Sequence, residues 1–473
     1  MKFLQKILIL FLIACPIAAA VVIPVAAQPS GFFEASRSAE TALLKGDRQA
    51  EIKALQQVVR YQPWRIDAWE RIGTLQYATA EYEEAIGSFN QGNAHGQLSA
   101  KALLTQGKAW KELDNSRNAE TCFRKASEFR TNDLDLYLEI AGAQEEINDS
   151  IGTLATLLRA QKLSPYDTAL NYHLGIQFAA SQPQNASKFL DTAKLDKSYK
   201  ENAVELQETI NASSTMGETA ARYIYIGQEL SRLNEWQAAA SAFTKATELE
   251  QNNGVAWALL GEAIQHVGGN GYDDLARAME LDPNSDIVMG LTALYYRRQE
   301  KYEIAIDYLY KALENNPHES TWQIEIGNTL ALTGDLPNAL NHLQVATLLE
   351  PDSWVPWESL AAFSITYNYY VSTVGIDAAR HALLLVPGSP VLLDIMGSTY
   401  LLVGDYDSAE RFYLQANSGA PDEPTILYHL GQLYLLKDEN DKAFEYLRKA
   451  AEFATDARMR NAANTLLRQN GGG

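Results

Sequence analysis

The chain has 473 residues, 47% of them apolar and 21% charged, with a formal net charge of −20. Such a length exceeds what one core organises, and the balance of residues is that of a folded chain and not a disordered one. The acidic excess argues against nucleic acid, which needs a basic surface to displace counterions, and against charge-driven docking on anionic lipid.

Residues 1–27 open with Lys2 and Lys6, then run uncharged and apolar over 7–27. This reads as an export signal, outside the folded part. Three fates stay open. Val25, Ala26 and Ala27 give small residues for cleavage. The run is also long enough to remain as a membrane anchor, so membrane association through 7–27 is one outcome. Leu12-Ile13-Ala14-Cys15 resembles a bacterial lipobox with Cys15 as the lipidated residue. All three put the remainder of the chain outside the cytoplasm, whether secreted, periplasmic or anchored. With Cys15 in this segment, Cys122 is left without a disulfide partner, and a cysteine-built metal site is out of reach.

After a connector at 28–33, a degenerate first helix pair spans about 34–63, with Ala39 in its first helix and Gly46-Asp47 at the turn. The spacing then becomes regular. Gly73, Gly107, Ala141 and Gly175 follow one another at intervals of 34. Around Gly73 lie Trp69, Ile72, Tyr82, Ala85 and Phe89. Each glycine sits on the inner face of a predicted first helix, and the later alanine and aromatic mark a second. The fifth pair has a weak second helix, with Pro183 near its start. Gly175 to Gly227 is 52 residues, one period plus 18, and the surplus maps to 197–218. Tyr199, Ala203, Leu206 and Ile210 share a helical face there, and 211–217 reads as a flexible loop. This surplus is either a hinge between two blocks or an insertion in one continuous array.

The pattern resumes with Gly227, Gly261, Gly327, Gly397 and Gly431. The glycine-rich turn at 268–271 lacks the preceding strand and the lysine of a phosphate-binding loop, so it reads as a remodelled helix–helix turn. The stretch from Trp357 to Gly397 carries two extra residues and an aromatic run at Tyr367, Tyr369 and Tyr370. Leu393, Met396, Gly397 and Tyr400, then Ala409, Tyr413, Ala416 and Pro421, show the unit most clearly. Met459, Ala462, Ala463, Leu466 and Leu467 mark a final amphipathic helix that caps the last pair.

A 34-residue period with W-x2-L-G-x2-Y, A-x3-F and a closing proline resembles the tetratricopeptide (TPR) repeat. The resemblance covers nearly all of the chain beyond the N-terminus. It implies an all-α solenoid, an α-α superhelix of about twelve helix-turn-helix repeats. The expected organisation is a signal or anchor at 1–27, repeats over 34–196, an extra helix and linker at 197–218, repeats over 219–455 and a cap at 456–470. Gly73, Gly107, Gly175, Gly227, Gly261, Gly327, Gly397 and Gly431 are then structural repeat positions.

No catalytic motif accompanies the repeats. The seven histidines are scattered, none paired with another at i+3 or i+4, and no nucleophile elbow, kinase set or Walker sequence occurs. Acidic pairs such as Glu145-Glu146 read as solvated helix exteriors. No metal or cofactor is expected, and the chain reads as a non-catalytic scaffold. In the family, first helices line a groove that binds extended peptides or helices. By register, the candidate partner-binding residues are Lys108, Lys111, Arg297, Arg298, Asn328, Tyr428 and Gln432. Arg297 and Arg298 beside Asn328 suggest capture of an acidic peptide group. The family's lysine–asparagine clamp for C-terminal carboxylates is not matched. The expected role is an extracytoplasmic scaffold that assembles an envelope complex around protein or peptide partners. Two alternatives stand beside it. One is a glycan- or small-ligand-binding solenoid using Trp354, Trp357, Tyr367, Tyr369 and Tyr370. The other is an accessory subunit of an envelope enzyme, or an enzyme.

Overall fold

Pairs of amphipathic segments separated by Gly-Asp or Asn/Asp turns dictate helix after helix, and the computed structural model, which describes residues 30–471, contains 26 α-helices and no strand among them. Residues 1–27, read from sequence as an export signal and including Cys15, lie outside the described residues. Among the described residues no helix is long and apolar enough to cross a membrane. The helices fall into two compact units that divide between Leu249 and Glu250.

The first unit runs α1 (Ser30–Lys45), α2 (Arg48–Tyr61), α3 (Ile66–Ala78), α4 (Tyr82–His95), α5 (Ala100–Glu112), α6 (Ser116–Ser127) and α7 (Leu134–Glu145). It continues with α8 (Ser150–Leu163), α9 (Thr168–Ser181), α10 (Ser187–Ala193), α11 (Lys197–Ala212), α12 (Ala220–Arg232) and α13 (Trp236–Leu249). The second unit runs α14 (Gly254–His266), α15 (Tyr272–Leu281), α16 (Asp286–Arg298), α17 (Tyr302–Asn315), α18 (Ser320–Leu332) and α19 (Leu336–Leu349). It continues with α20 (Trp354–Thr366), α21 (Ile376–Leu385), α22 (Pro390–Leu402), α23 (Tyr406–Gly419), α24 (Pro424–Leu436), α25 (Asn440–Phe453) and α26 (Ala457–Gln469). Twelve hairpins account for all but α11 and α26.

Within a hairpin the two helices almost touch at the repeat glycine. A methyl placed on Gly107 would stand 2.3 Å from the Phe123 ring, and one on Gly397 would stand 2.6 Å from the Tyr413 ring. The aromatic comes sixteen residues after the glycine in each case, and Leu343 and Leu447 take the same place after Gly327 and Gly431. Turns are closed by side-chain caps. Asp47 accepts from the backbone N–H of Ala50 at 3.0 Å, and Asp405 accepts from that of Ser408 at 3.1 Å, each after a glycine at positive φ. Three repeat tryptophans, Trp69, Trp257 and Trp357, tie their first helices to the turn before. Trp69 Nε1 donates to the Pro63 carbonyl at 2.8 Å, and Trp357 Nε1 donates to that of Pro351 at 3.0 Å.

Three local expectations change. The segment 28–33 is not a plain connector, because helix α1 is already formed at Ser30 and Phe32 is buried in the cluster of Ile52, Val58 and Ile72. The segment 211–217 is not a loop. Helix α11 continues to Ala212 and a 3-10 turn spans Ser213–Met216, with Ser213 buried and its hydroxyl donated to the Ile210 carbonyl at 3.0 Å. Thirdly, the residues added after Tyr370 form a π turn, Val371–Gly375, that leads directly into α21.

The surplus at 197–218 falls inside the first unit. Helix α11 buries Ala203, Leu206 and Ile210, and its Tyr199 stacks on Tyr172 of α9 at 4.8 Å. Beyond the insertion, α13 returns to α9 and to the start of α8. There the Ser150 and Ser241 hydroxyls lie 2.8 Å apart, and Gln237 Nε2 donates to Asn148 Oδ1.

Gly397→Ala is expected to destabilise the second unit by about 1–3 kcal/mol, because the Tyr413 ring is held on every side and overpacking outweighs the helix propensity gained. Urea unfolding measures this; an unchanged midpoint would refute the close approach.

Candidate functional site

First helices of successive hairpins touch one another, so they make a continuous face within each unit. In the second unit this face opens into a cavity of about 460 Å³. Its wall is formed by Arg297 of α16, Asn328 and Leu332 of α18, and Glu358 and Phe363 of α20, with Tyr367 at the end.

Charges on this face are mostly spent inside the chain. Arg298 donates to both carboxylate oxygens of buried Glu262, at 2.8 Å for one of them, to Gln265 at 3.1 Å, and lies 3.1 Å from His266 Nε2. The hydrogen bonds it donates to Glu262 hold the Arg298 guanidinium above its ordinary pKa. Arg297 donates to Glu325 on the next first helix. His429 Nδ1 lies 2.9 Å from both carboxylate oxygens of Asp394. Glu358 differs. No cation among the described residues pairs with it, and burial pushes its carboxyl above the usual range, opposed by a hydrogen bond with Ser359.

The sequence-expected site residues therefore divide. Arg297 and Asn328 share the cavity, but the side chain of Arg297 is committed to Glu325. Arg298 turns the other way, to Glu262 on α14. Tyr428 and Gln432 lie half-buried on α24, where burial raises the Tyr428 phenol. In the first unit, Lys108 reaches Glu139 at 3.9 Å, and Lys111 reaches Glu146 at 2.7 Å, a hydrogen bond that raises its pKa. Of the aromatic group, Trp357 is stacked on His381 at 4.4 Å and Tyr369 packs edge-on against Phe363 and Tyr370. Among the described residues no three His, Cys, Asp or Glu side chains gather as metal ligands. Cys122 is buried beside Gln106, and burial pushes its thiol up to about 11.

Glu358 escaped the sequence reading because a glutamate beside a repeat tryptophan looks like solvated surface; only its place on a first helix signals the groove. Glu145 is a second correction. It is not a solvated exterior residue, because α13 folds back across the end of α7. Gln177 Nε2 donates to its Oε1 at 3.0 Å, Glu235 stands near, and burial pushes its carboxyl up to about 7. Glu235 is raised by the same burial, against a hydrogen bond from Tyr172.

A profile of the family described as Tetratricopeptide repeat matches residues 291–352 and 396–458. Outside the matched residues Gly73, Gly107, Gly175, Gly227 and Gly261 make the same close approach, with Ala39, Ala141 and Ala361 in their place in three other hairpins, and the chain is similar to tetratricopeptide-repeat proteins along its described length. Anaphase-promoting complex subunit 3 of Schizosaccharomyces pombe is 26% identical over 132 residues, 28% of this chain and 20% of its own. The protein of that name from Dictyostelium discoideum is 29% identical over 110 residues, 23% of this chain and 11% of its own. The chain thus aligns with a fifth or less of these relatives' length. Among solved structures, the APC/C hetero-tetramer Cut9-Hcn1 is similar with a TM-score of 0.44, at 13% identity over 95% of this chain and 93% of that one. Yeast Tom70 is similar with a TM-score of 0.44, at 12% identity over 93% of this chain and 95% of that one.

Two outcomes test these electrostatics. Arg298→Met strands the buried Glu262 carboxylate and is expected to cost about 1–3 kcal/mol in urea unfolding, most of it recovered by adding Glu262→Gln. The Glu145 carboxyl, moved from its ordinary 4.5 to about 7, binds its proton more tightly folded than unfolded. Stability should therefore rise as pH falls from about 7 toward 4.5 and be lost again as pH rises. We expect wild type to gain about 1–2 kcal/mol over Glu145→Gln across that window. Parallel pH profiles for the two proteins would contradict it.

Proposed function

We propose that this protein is an exported, non-catalytic scaffold that holds protein partners on the face of its first helices, as part of an envelope complex. The observation that carries the reading is the open cavity between α16, α18 and α20, where Asn328, Leu332 and Glu358 stand over a floor of core residues that includes Ala331 and Phe363. A first-helix face of this kind suits an extended segment or a helix, since it offers a run of shallow contacts and not a closed pocket. The aligned stretch of a subunit of a multi-protein complex supports an assembly role. Export rests on Lys2, Lys6 and the uncharged run that comes after them.

The test uses the full chain crosslinked in cells, with wild type compared against Ala362→Arg, which fills the cavity floor. At least a tenfold loss of specific captured proteins in the variant is expected. Equal capture by both would refute the groove as the binding face. Protease accessibility of the repeats in intact cells tests export, and protection there together with cytoplasmic recovery would refute it.

A further inference from the structure

We propose that the groove of the second unit takes an extended protein segment through a lysine or arginine side chain set against Glu358, with flanking apolar residues laid along Leu332 and its counterparts. The inference rests on the scaffold reading above and names the chemistry of the partner.

The charge account of the groove carries it. The sequence suggests a site for an acidic group at Arg297 and Arg298. Both guanidinium groups are already neutralised, by Glu325 and Glu262. Asp394 faces His429. Arg297, Glu325 and Glu358 together leave one negative charge at the cavity, and that charge belongs to Glu358. A half-buried carboxylate without a cation costs stability, as its upward-shifted pKa reports. An incoming ammonium or guanidinium would supply the missing partner, and in a part-desolvated cleft such a charge-assisted bond is stronger than on open surface. The remainder of the chain favours the same sign of partner, since its net charge is −20.

Apolar complementarity sets the rest of the segment. Around Glu358 the cavity is lined by Ala331, Leu332, Ala362 and Phe363. Leu332 is the last residue of α18, and Thr366, Leu402 and Leu436 are the last residues of the next three first helices. The three leucines among them keep about half their surface in solvent, at 50%, 43% and 53%. A free amine would use only the carboxylate. A protein segment with apolar residues beside its cation would use the row as well, so a protein segment is the occupant.

The test is selection of a displayed random dodecapeptide library on the immobilised full chain, followed by binding of the selected peptides to wild type, Glu358→Gln and Ala362→Arg. Enrichment of lysine or arginine at one position between apolar residues is expected, with affinity falling about tenfold in Glu358→Gln. That variant removes one of 59 acidic residues, so non-specific attraction of basic peptides would hardly change. Glu358→Gln should melt at or above the wild-type temperature, which separates lost binding from lost fold. Selected peptides rich in acidic residues, or insensitive to Glu358→Gln, would overturn the inference. So would their displacement by n-butylamine at equal concentration. If such peptides still lose binding in Ala362→Arg, the scaffold reading survives; if no peptide is selected and crosslinking also fails to depend on Ala362, both fall.

Discussion

A single steric constraint recurs through the molecule: in eight of the twelve hairpins the first and second helix meet where a side chain would not fit, and in the other four an alanine stands there. The approach at Gly107 or Gly397 leaves the partner aromatic wedged against bare backbone. That wedge fixes the rotation of both helices, because any other face would put a Cβ into the ring. Once rotation is fixed, so is the direction of every remaining side chain. The second helix buries Ala409, Tyr413 and Ala416, and the first buries Met396 and Thr399. What is left on the first helix then faces its counterparts in neighbouring hairpins or the open cavity. The proposed binding face is thus a consequence of the packing and not a separate design.

The consensus tyrosine adds a second layer in the second unit. Tyr296 stacks on Tyr308, Tyr400 on Phe412 and Tyr434 on Tyr446, all within 9° of parallel and 5.5–5.7 Å apart. Each outer ring carries a cation over it, from Lys311, Arg411 and Lys449. Long basic side chains on second helices are therefore partly occupied with ring faces.

Contacts that lie inside one hairpin were readable from sequence, and those that cross between hairpins were not. The glycine, alanine and aromatic positions are local and recur at a fixed interval, so periodicity alone locates them. The turn geometry was partly hidden: Ala80 and Glu300 take the left-handed conformation that Gly334 and Gly404 take elsewhere, and neither residue advertises it. Arg298 meets Glu262 across 36 residues and Lys111 meets Glu146 across 35, so a register that placed these side chains on the right face could not say they were already engaged. Glu145 was the hardest case. Its environment is made by Gln177 and by the return of α13 after an inserted helix, and no pattern around residue 145 reports that.

This division bears on how specificity arises in an acidic helical-repeat array. Ion pairs between adjacent first helices are satisfied whether or not a ligand is present, so they stiffen the face without selecting what binds to it. Selection falls to the groups those pairs leave over. Around the second-unit cavity the remainder is the half-buried Glu358 carboxylate and a row of half-exposed leucines at first-helix ends. Desolvating that carboxylate against a neutral or acidic partner would leave it unpaired in a drier setting, which penalises the wrong partner more than a cation rewards the right one. On the proposal above, this asymmetry would let a single unpaired glutamate direct recognition on a surface where the carboxylates around it are already matched within the chain.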